Sequence, residues 1–254
     1  MDNEKLSICT NTDTGLLKVI AFASMLIDHV GYIFFPSAMW LRIIGRLGFP
    51  LFAYCVAAGF VYTRSVKKYA LRLLAFGVVS QPFYTLAFYP ESVGRLFDPL
   101  YYGDFWVALV NLNENLHLNI GFTLLLGLLA LYGIREKKYW CTALSALFSL
   151  SPAFEYSFYG VGLIIVIYSF FKSSRDSFGI IVGIFLFAPF IVGNRFYNFL
   201  GFNIDPQGFA ILALPLMLMR TNTKIKIPRL LNYGFYPIHL AVLYLINQFL
   251  QRGF

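Results

Sequence analysis

Residues 15–35 read GLLKVIAFASMLIDHVGYIFF. A helix rises about 1.5 Å per residue and a hydrocarbon layer is about 30 Å thick, so a crossing takes about 20 mostly apolar residues. This stretch has that length and character. Working outward from it, apolar runs recur at 41–62, 70–89, 118–134, 139–152, 158–171, 178–194, 207–219 and 230–250. The fold class expected is all-α: a polytopic integral membrane helical bundle of about nine transmembrane helices. A polar cytoplasmic N-terminal segment, 1–14, would precede a single transmembrane domain over 15–254. The runs 139–152, 158–171 and 207–219 are short, which suits thinned bilayer, packing inside the bundle, or a re-entrant course.

Composition agrees with the first run. Of 254 residues 59% are hydrophobic and 13% charged, against roughly 25% charged in soluble domains. The net charge of +8 does not point to nucleic acid, because the basic residues stand at the ends of apolar runs, where membrane topology explains them. Alternating the nine runs leaves Arg42, Arg46, Arg95, Arg195 and Arg252 outside and the other 15 of the 20 basic residues inside. The N-terminus is therefore expected in the cytoplasm and the C-terminus outside. Residues 15–35 exceed the apolar core of a secretory leader and lack a small-residue cleavage pattern, so a first span is expected there. Cys9, Cys55 and Cys141 lie far apart, so neither a disulfide framework nor a metal site is expected.

Ionisable groups inside such runs carry the functional information. Asp28 and His29 interrupt the first run, and each costs a few kcal/mol or more unless it faces protein or water. Lys18 can snorkel to the cytoplasmic surface. Eleven residues, about 1,100° of helix rotation, separate it from His29, so the two share a face. His29 is either a helix-packing residue or a proton-handling group. Neighbours on a helix do not face one another, so the partner expected for Asp28 is a cation on another helix. WLRIIGRLGFP at 40–50 offers Arg42 and Arg46, spaced i, i+4, with Arg46 near the depth of Asp28. Pro50 leaves the Arg46 carbonyl without its helical donor, so a kink is expected there.

Arg64, Lys68 and Arg72 recur every four residues and could grip phosphates or simply anchor the inner face. Gln81 stands beside Pro82, where packing competes with a substrate contact. Asn111, Asn113, Asn115, His117 and Asn119 crowd one loop end, as caps or as the wall of an external site. Tyr236 and His239 flank Pro237 in the last run, at a depth similar to that of His29 by residue count.

LKVIAFASMLIDHVGYIFFP (17–36), LRIIGRLGFPLFAYCVAAGFVYTRSVKKYALRLL (41–74), SQPF (80–83), HLNIGFTLLLGLLAL (117–131) and FYPIHL (235–240) together resemble the TraX family. These are membrane proteins named for N-terminal acetylation of conjugative pilin. Lys18-x10-His29 also resembles, more distantly, the basic-x10-His signature of the membrane acyltransferase-3 group. The resemblance implies acetyl transfer from acetyl-CoA in a bacterial cytoplasmic (inner) membrane, with Asp28, His29, Arg46 and His239 as matched positions. The acceptor would be a pilin-like protein, a glycan or a lipid.

The leading expectation is an acetyl-CoA-dependent acyltransferase. His29 and Asp28 are its catalytic pair, and Arg42, Arg46, Gln81, Asn119, Tyr236 and His239 its substrate contacts. Lys18, Arg64, Lys68 and Arg72 would receive CoA, and no metal is expected. A proton-coupled transporter is the rival from another class, since intramembrane Asp and His also relay protons. A non-catalytic scaffold, in which polar groups only join helices, is the third.

Overall fold

The computed structural model describes residues 8–92, 116–192, 197–199 and 202–252. Asn111, Asn113, Asn115, Arg95 and Arg195 lie outside them. The described chain is helical apart from one antiparallel hairpin, β1 (Tyr197–Phe199) with β2 (Phe202–Ile204). The nine spans expected are not all present as spans. Among the described residues, four helical stretches are long and apolar enough to cross a membrane: Thr14–Phe34, Met39–Tyr62, Val66–Phe88 and Arg175–Val192. Three of the other runs form helices of 16, 10 and 14 residues, which rise only about 24, 15 and 21 Å. The run at 207–219 becomes a 3-10 helix, Pro206–Ala213, followed by one turn of α-helix. The last run is a 24-residue helix whose Asn232, His239, Asn247 and Gln248 dilute its apolar character.

The chain forms two compact units, Met1–Thr63 with Leu163–Pro228, and Arg64–Gly162 with Arg229–Phe254. The first holds α1 (Thr14–Phe34), α2 (Met39–Gly45) and α3 (Gly48–Tyr62). It also holds the second half of α7 (Ser157–Phe170), α8 (Arg175–Phe187), α9 (Pro189–Val192), the hairpin, the 3-10 helix and α10 (Leu214–Leu218). Helix α3 is apolar on every side and buried on nearly every side, including Phe49, Leu51, Tyr54, Cys55 and Phe60, as a central helix must be. Its Tyr54 is fully buried, with its ring edge-on to Phe171 at 5.3 Å. The hydroxyl donates to the Asn11 carbonyl at 2.5 Å and meets the Thr10 hydroxyl at 2.6 Å.

That contact shows what the polar N-terminal segment does. Residues from Ile8 onward are built into this unit: the Asn11 amide donates to the Met217 carbonyl at 2.8 Å, and its side chain to the Leu216 carbonyl at 3.0 Å. Asp13 caps α1 by accepting from the Leu16 amide. Its other oxygen accepts from the Thr223 amide (2.6 Å) and hydroxyl (2.7 Å). These bonds, with the Thr223 hydroxyl foremost, hold the Asp13 carboxyl below its ordinary value of 3.8.

The second unit holds α4 (Val66–Phe88), α5 (Ile120–Arg135), α6 (Tyr139–Phe148), the start of α7 and α11 (Arg229–Arg252). In α4, Leu73, Gly77, Ser80 and Tyr84 form the buried stripe while Leu71, Leu74, Val78 and Val79 face outward, the helical period of a one-sided contact. Helix α4 packs on α5 closely enough that a Cβ on Gly121 would lie 2.8 Å from the Gly77 Cα. The 151–156 connection is tied to the start of α5: Leu118 donates to the Ala153 carbonyl at 2.7 Å, and Glu155 to the Leu118 carbonyl at 3.1 Å.

Candidate functional site

The site in the first unit follows from Pro50. Lacking an N–H, it cannot complete the helical bond to the Arg46 carbonyl, and the helix breaks at Arg46–Leu47, between α2 and α3. Ser24 of α1 fills part of the gap, donating to the Ile44 carbonyl at 2.6 Å and to the Gly45 carbonyl at 3.2 Å. The bend turns α2 against α1 so tightly that a Cβ on Gly45 would sit 2.1 Å from Asp28 Oδ1. A side chain at 45 would occupy the space of the carboxylate.

Asp28 is then bracketed by Arg42 of α2 and by Arg46, the residue that caps the C-terminus of that helix. Arg42 Nη1 lies 2.9 Å from Oδ2 and also donates to the Asp28 carbonyl at 3.0 Å. Arg46 Nη2 lies 2.7 Å from Oδ1. The side chains of Asp28 and Arg46 are 13% and 12% exposed, and that of Arg42 is 23% exposed. The Arg46 guanidinium is further oriented by Nε donating to the Arg42 carbonyl at 3.3 Å and Nη1 donating to Gln207 Oε1 at 3.1 Å. The Arg42 guanidinium lies over the Tyr32 ring, 5.0 Å from its centroid. One carboxylate between two guanidiniums makes a half-buried charged centre. In a low-dielectric setting, guanidiniums fixed in this way are groups that can stabilise a developing oxyanion.

The pairing of Asp28 with a cation on another helix, expected from helix geometry, is therefore present, with Arg42 as well as Arg46. His29 is buried on α1, about 100° around the helix from Asp28. Lys18 is half-buried, about 16 Å along the same helix from His29. Sequence reasoning missed Gln207 and Ser24. A polar residue inside the run 207–219 was the available signal for Gln207, but its partner Arg46 lies 161 positions away.

The remaining expected residues belong to the second unit. Gln81 and Asn119 come together: Asn119 Nδ2 donates to Gln81 Oε1 at 2.9 Å and to the Gly77 carbonyl at 2.8 Å. Gln81 Nε2 donates to the His117 carbonyl at 2.6 Å. Asn119 Oδ1 caps α5 by accepting from the Gly121 amide. The His117 ring stacks on Tyr89 at 3.7 Å, and partial burial pushes its pKa below 6.5. His239 Nδ1 donates to the Phe235 carbonyl at 2.8 Å, which leaves Nε2 as the acceptor nitrogen. Its ring stands edge-on to Tyr236 at 5.5 Å, and Tyr236 is packed on Phe76.

Lys68 and Arg72 are exposed on α4, with Arg72 over the Tyr69 ring at 5.6 Å. Arg64 is exposed too but precedes the helix, since Ser65 is its N-cap. The every-four spacing therefore does not make one helical stripe of the three. Among the described residues no three His, Cys, Asp or Glu side chains gather as metal ligands.

Four helical stretches of membrane-spanning length and apolarity, with a carboxylate clamped by arginines, mark the class as a helical protein of membrane-protein character. The family described as TraX protein matches residues 13–247, and the chain belongs to the TraX family. It is 30% identical over 248 residues, 92% of this chain and 96% of the relative, to the probable fimbrial assembly protein FimC, serogroup H1, of Dichelobacter nodosus. An uncharacterised protein of Rickettsia prowazekii (strain Madrid E) is 32% identical over 92 residues, 36% of this chain and 35% of that one. Protein TraX of Escherichia coli is 30% identical over 82 residues, 32% of this chain and 33% of that protein. No solved structure matches the chain.

Proposed function

We propose that this protein is an inner-membrane acetyltransferase that moves an acetyl group from cytoplasmic acetyl-CoA to an amine or hydroxyl. The observation that carries the reading is the clamped Asp28 centre. Two guanidiniums held by one carboxylate, with a buried histidine next in sequence on α1, are the charge and the base proposed for acyl transfer. In the reaction proposed, His29 takes the proton of the attacking amine or hydroxyl, and the new C–N or C–O bond forms at the thioester carbon. The C–S bond then breaks, and the CoA thiolate leaves and is reprotonated from the imidazolium. Arg46 faces the oxygen on which charge develops, and Asp28 holds Arg46 and Arg42 in place. Lys18, on the same helix as His29, is the proposed contact for the CoA phosphates within this unit, and Arg64, Lys68 and Arg72 of the second unit are proposed as phosphate contacts from their sequence pattern alone. The proposed orientation has the N-terminus in the cytoplasm and the C-terminus outside.

The fimbrial assembly name of the long relative, together with the TraX family, favours a pilus subunit as acceptor over a glycan or lipid. For Gln81 and Asn119 we propose a structural part in place of substrate contact, which is supported by their bonds to one another, to the Thr85 hydroxyl and to backbone. The test is purified protein in lipid nanodiscs with radiolabelled acetyl-CoA. Transfer of label to an N-terminal amine of a pilin-derived peptide is expected. No turnover with any amine, hydroxyl or water acceptor contradicts the reading.

A further inference from the structure

Gln207 sits at the start of the 3-10 helix Pro206–Ala213, where Asp205 Oδ1 accepts from its backbone amide at 2.8 Å. The following Gly208 is pressed on Phe190, whose ring a Cβ would meet at 2.3 Å. The segment is thus pinned on both sides of the glutamine. Its Oε1 accepts from Arg46 Nη1 at 3.1 Å. That contact fixes which end of the amide faces which way, since the reverse orientation would set an NH2 donor against a guanidinium donor. The other end, Nε2, is buried, although the residue as a whole is half-buried, and it has no hydrogen-bond partner among the described residues. A buried, correctly oriented donor left unpaired is uncommon, and a bound ligand atom is one explanation for it.

We infer that Gln207 is a substrate-positioning residue whose Nε2–H donates to the acyl carbonyl oxygen of a thioester held beside Arg46. The inference rests on the acyl-transfer reading above and deepens it. The neutral amide and the guanidinium form a two-donor cradle, and the amide is held rigid by the arginine it helps to place. Donors fixed before the ligand arrives need no reorganisation when charge develops on the oxygen. The cradle recognises the C=O of the acyl group and makes no distinction within the nucleotide portion of CoA. It therefore separates acetyl-CoA from its product, CoA.

The test uses the full chain in nanodiscs and two probes: CoA, and a ketone analogue of acetyl-CoA whose carbonyl cannot be transferred. Wild type is expected to bind the ketone about tenfold more tightly than CoA, the ratio one good hydrogen bond gives. Gln207→Glu keeps an oxygen for Arg46 but removes the donor. Gln207→Met keeps the size and removes both. Loss of the tenfold preference in both variants, with CoA affinity and melting temperature retained in Gln207→Glu, is the expected result. Preference kept in Gln207→Glu and lost only in Gln207→Met overturns the inference, since Gln207 then serves only to orient Arg46. Preference kept in both also overturns it and leaves the acyl-transfer reading standing. Wild type that binds neither probe overturns that reading and this inference with it.

Discussion

Each unit buries a polar cluster, and the two clusters are built from opposite materials. In the first, a carboxylate and two guanidiniums meet within 2.9 Å beside a helix break. In the second, two neutral amides, Gln81 and Asn119, bind each other, the His117 carbonyl and the Gly77 carbonyl. Neutral amides satisfy backbone at the α5 cap and at the Gly77 and His117 carbonyls without importing charge, which is what joining helices requires. Charges clamped at 12–23% exposure carry a desolvation penalty that joining helices does not require. The difference teaches where to look for chemistry: at the cluster whose charge exceeds the needs of packing.

Breaking the charged cluster should have the larger effect. Asp28→Ala leaves two half-buried guanidiniums without their shared counter-ion, and a loss below the roughly 3–5 kcal/mol of a fully buried pair is expected from detergent melting. Arg46→Ala should do less, because Arg42 still pairs with Asp28. Equal destabilisation by the two would mean that Arg42 contributes nothing. Gly45→Ala tests the same region through sterics. Its Cβ would fall on the Asp28 carboxylate, and about 1–3 kcal/mol of destabilisation is expected. Wild-type stability would show that α1 and α2 do not approach as described.

The neutral cluster should respond more weakly. Asn119→Ala removes the cap of α5 and the bond to Gly77, with about 0.5–2 kcal/mol expected. Combined with Gln81→Leu, the losses should be less than additive, because the two side chains share a bond. Any change in the ratio of ketone to CoA affinity in these variants would put the second cluster into the substrate site. The smallest effect concerns pH at the exposed clasp of Asp13. Its pKa is lowered on folding, so the clasp contributes fully above the ordinary carboxylate value and is lost as pH falls through its depressed one. Acid melts should therefore separate wild type from Asp13→Asn above pH 3.8 and converge well below it. Parallel curves at every pH would remove the Asp13–Thr223 bonds from the account.

Much of the charged cluster was legible because its logic is local. Asp28 in an apolar run demands a cation, two arginines at i, i+4 supply it, and Pro50 announces the break. Gln207 was not legible, since its meaning depends on a contact across 161 positions. Hydropathy also overstated the number of spanning-length helices among the described residues: it registers apolar character over 139–152, but the helix formed there, Tyr139–Phe148, has 10 residues. An apolar run states where water is absent and not how far the helix extends. The packing of the N-terminal segment was not legible for the opposite reason. Its polar residues look solvent-bound, yet Thr10 and Asn11 are buried because their side chains and backbone bind Tyr54, Leu216 and Met217.

The most direct test of the central claim, that the Asp28 centre and His29 perform acyl transfer, is turnover by His29→Gln. The protein is reconstituted with radiolabelled acetyl-CoA, and melting temperature is measured on the same preparation. The account predicts a fall in rate of about 10²–10⁴-fold with the fold retained, because glutamine can bond but cannot take up the proton. Turnover at the wild-type rate in a stably folded His29→Gln protein would contradict it.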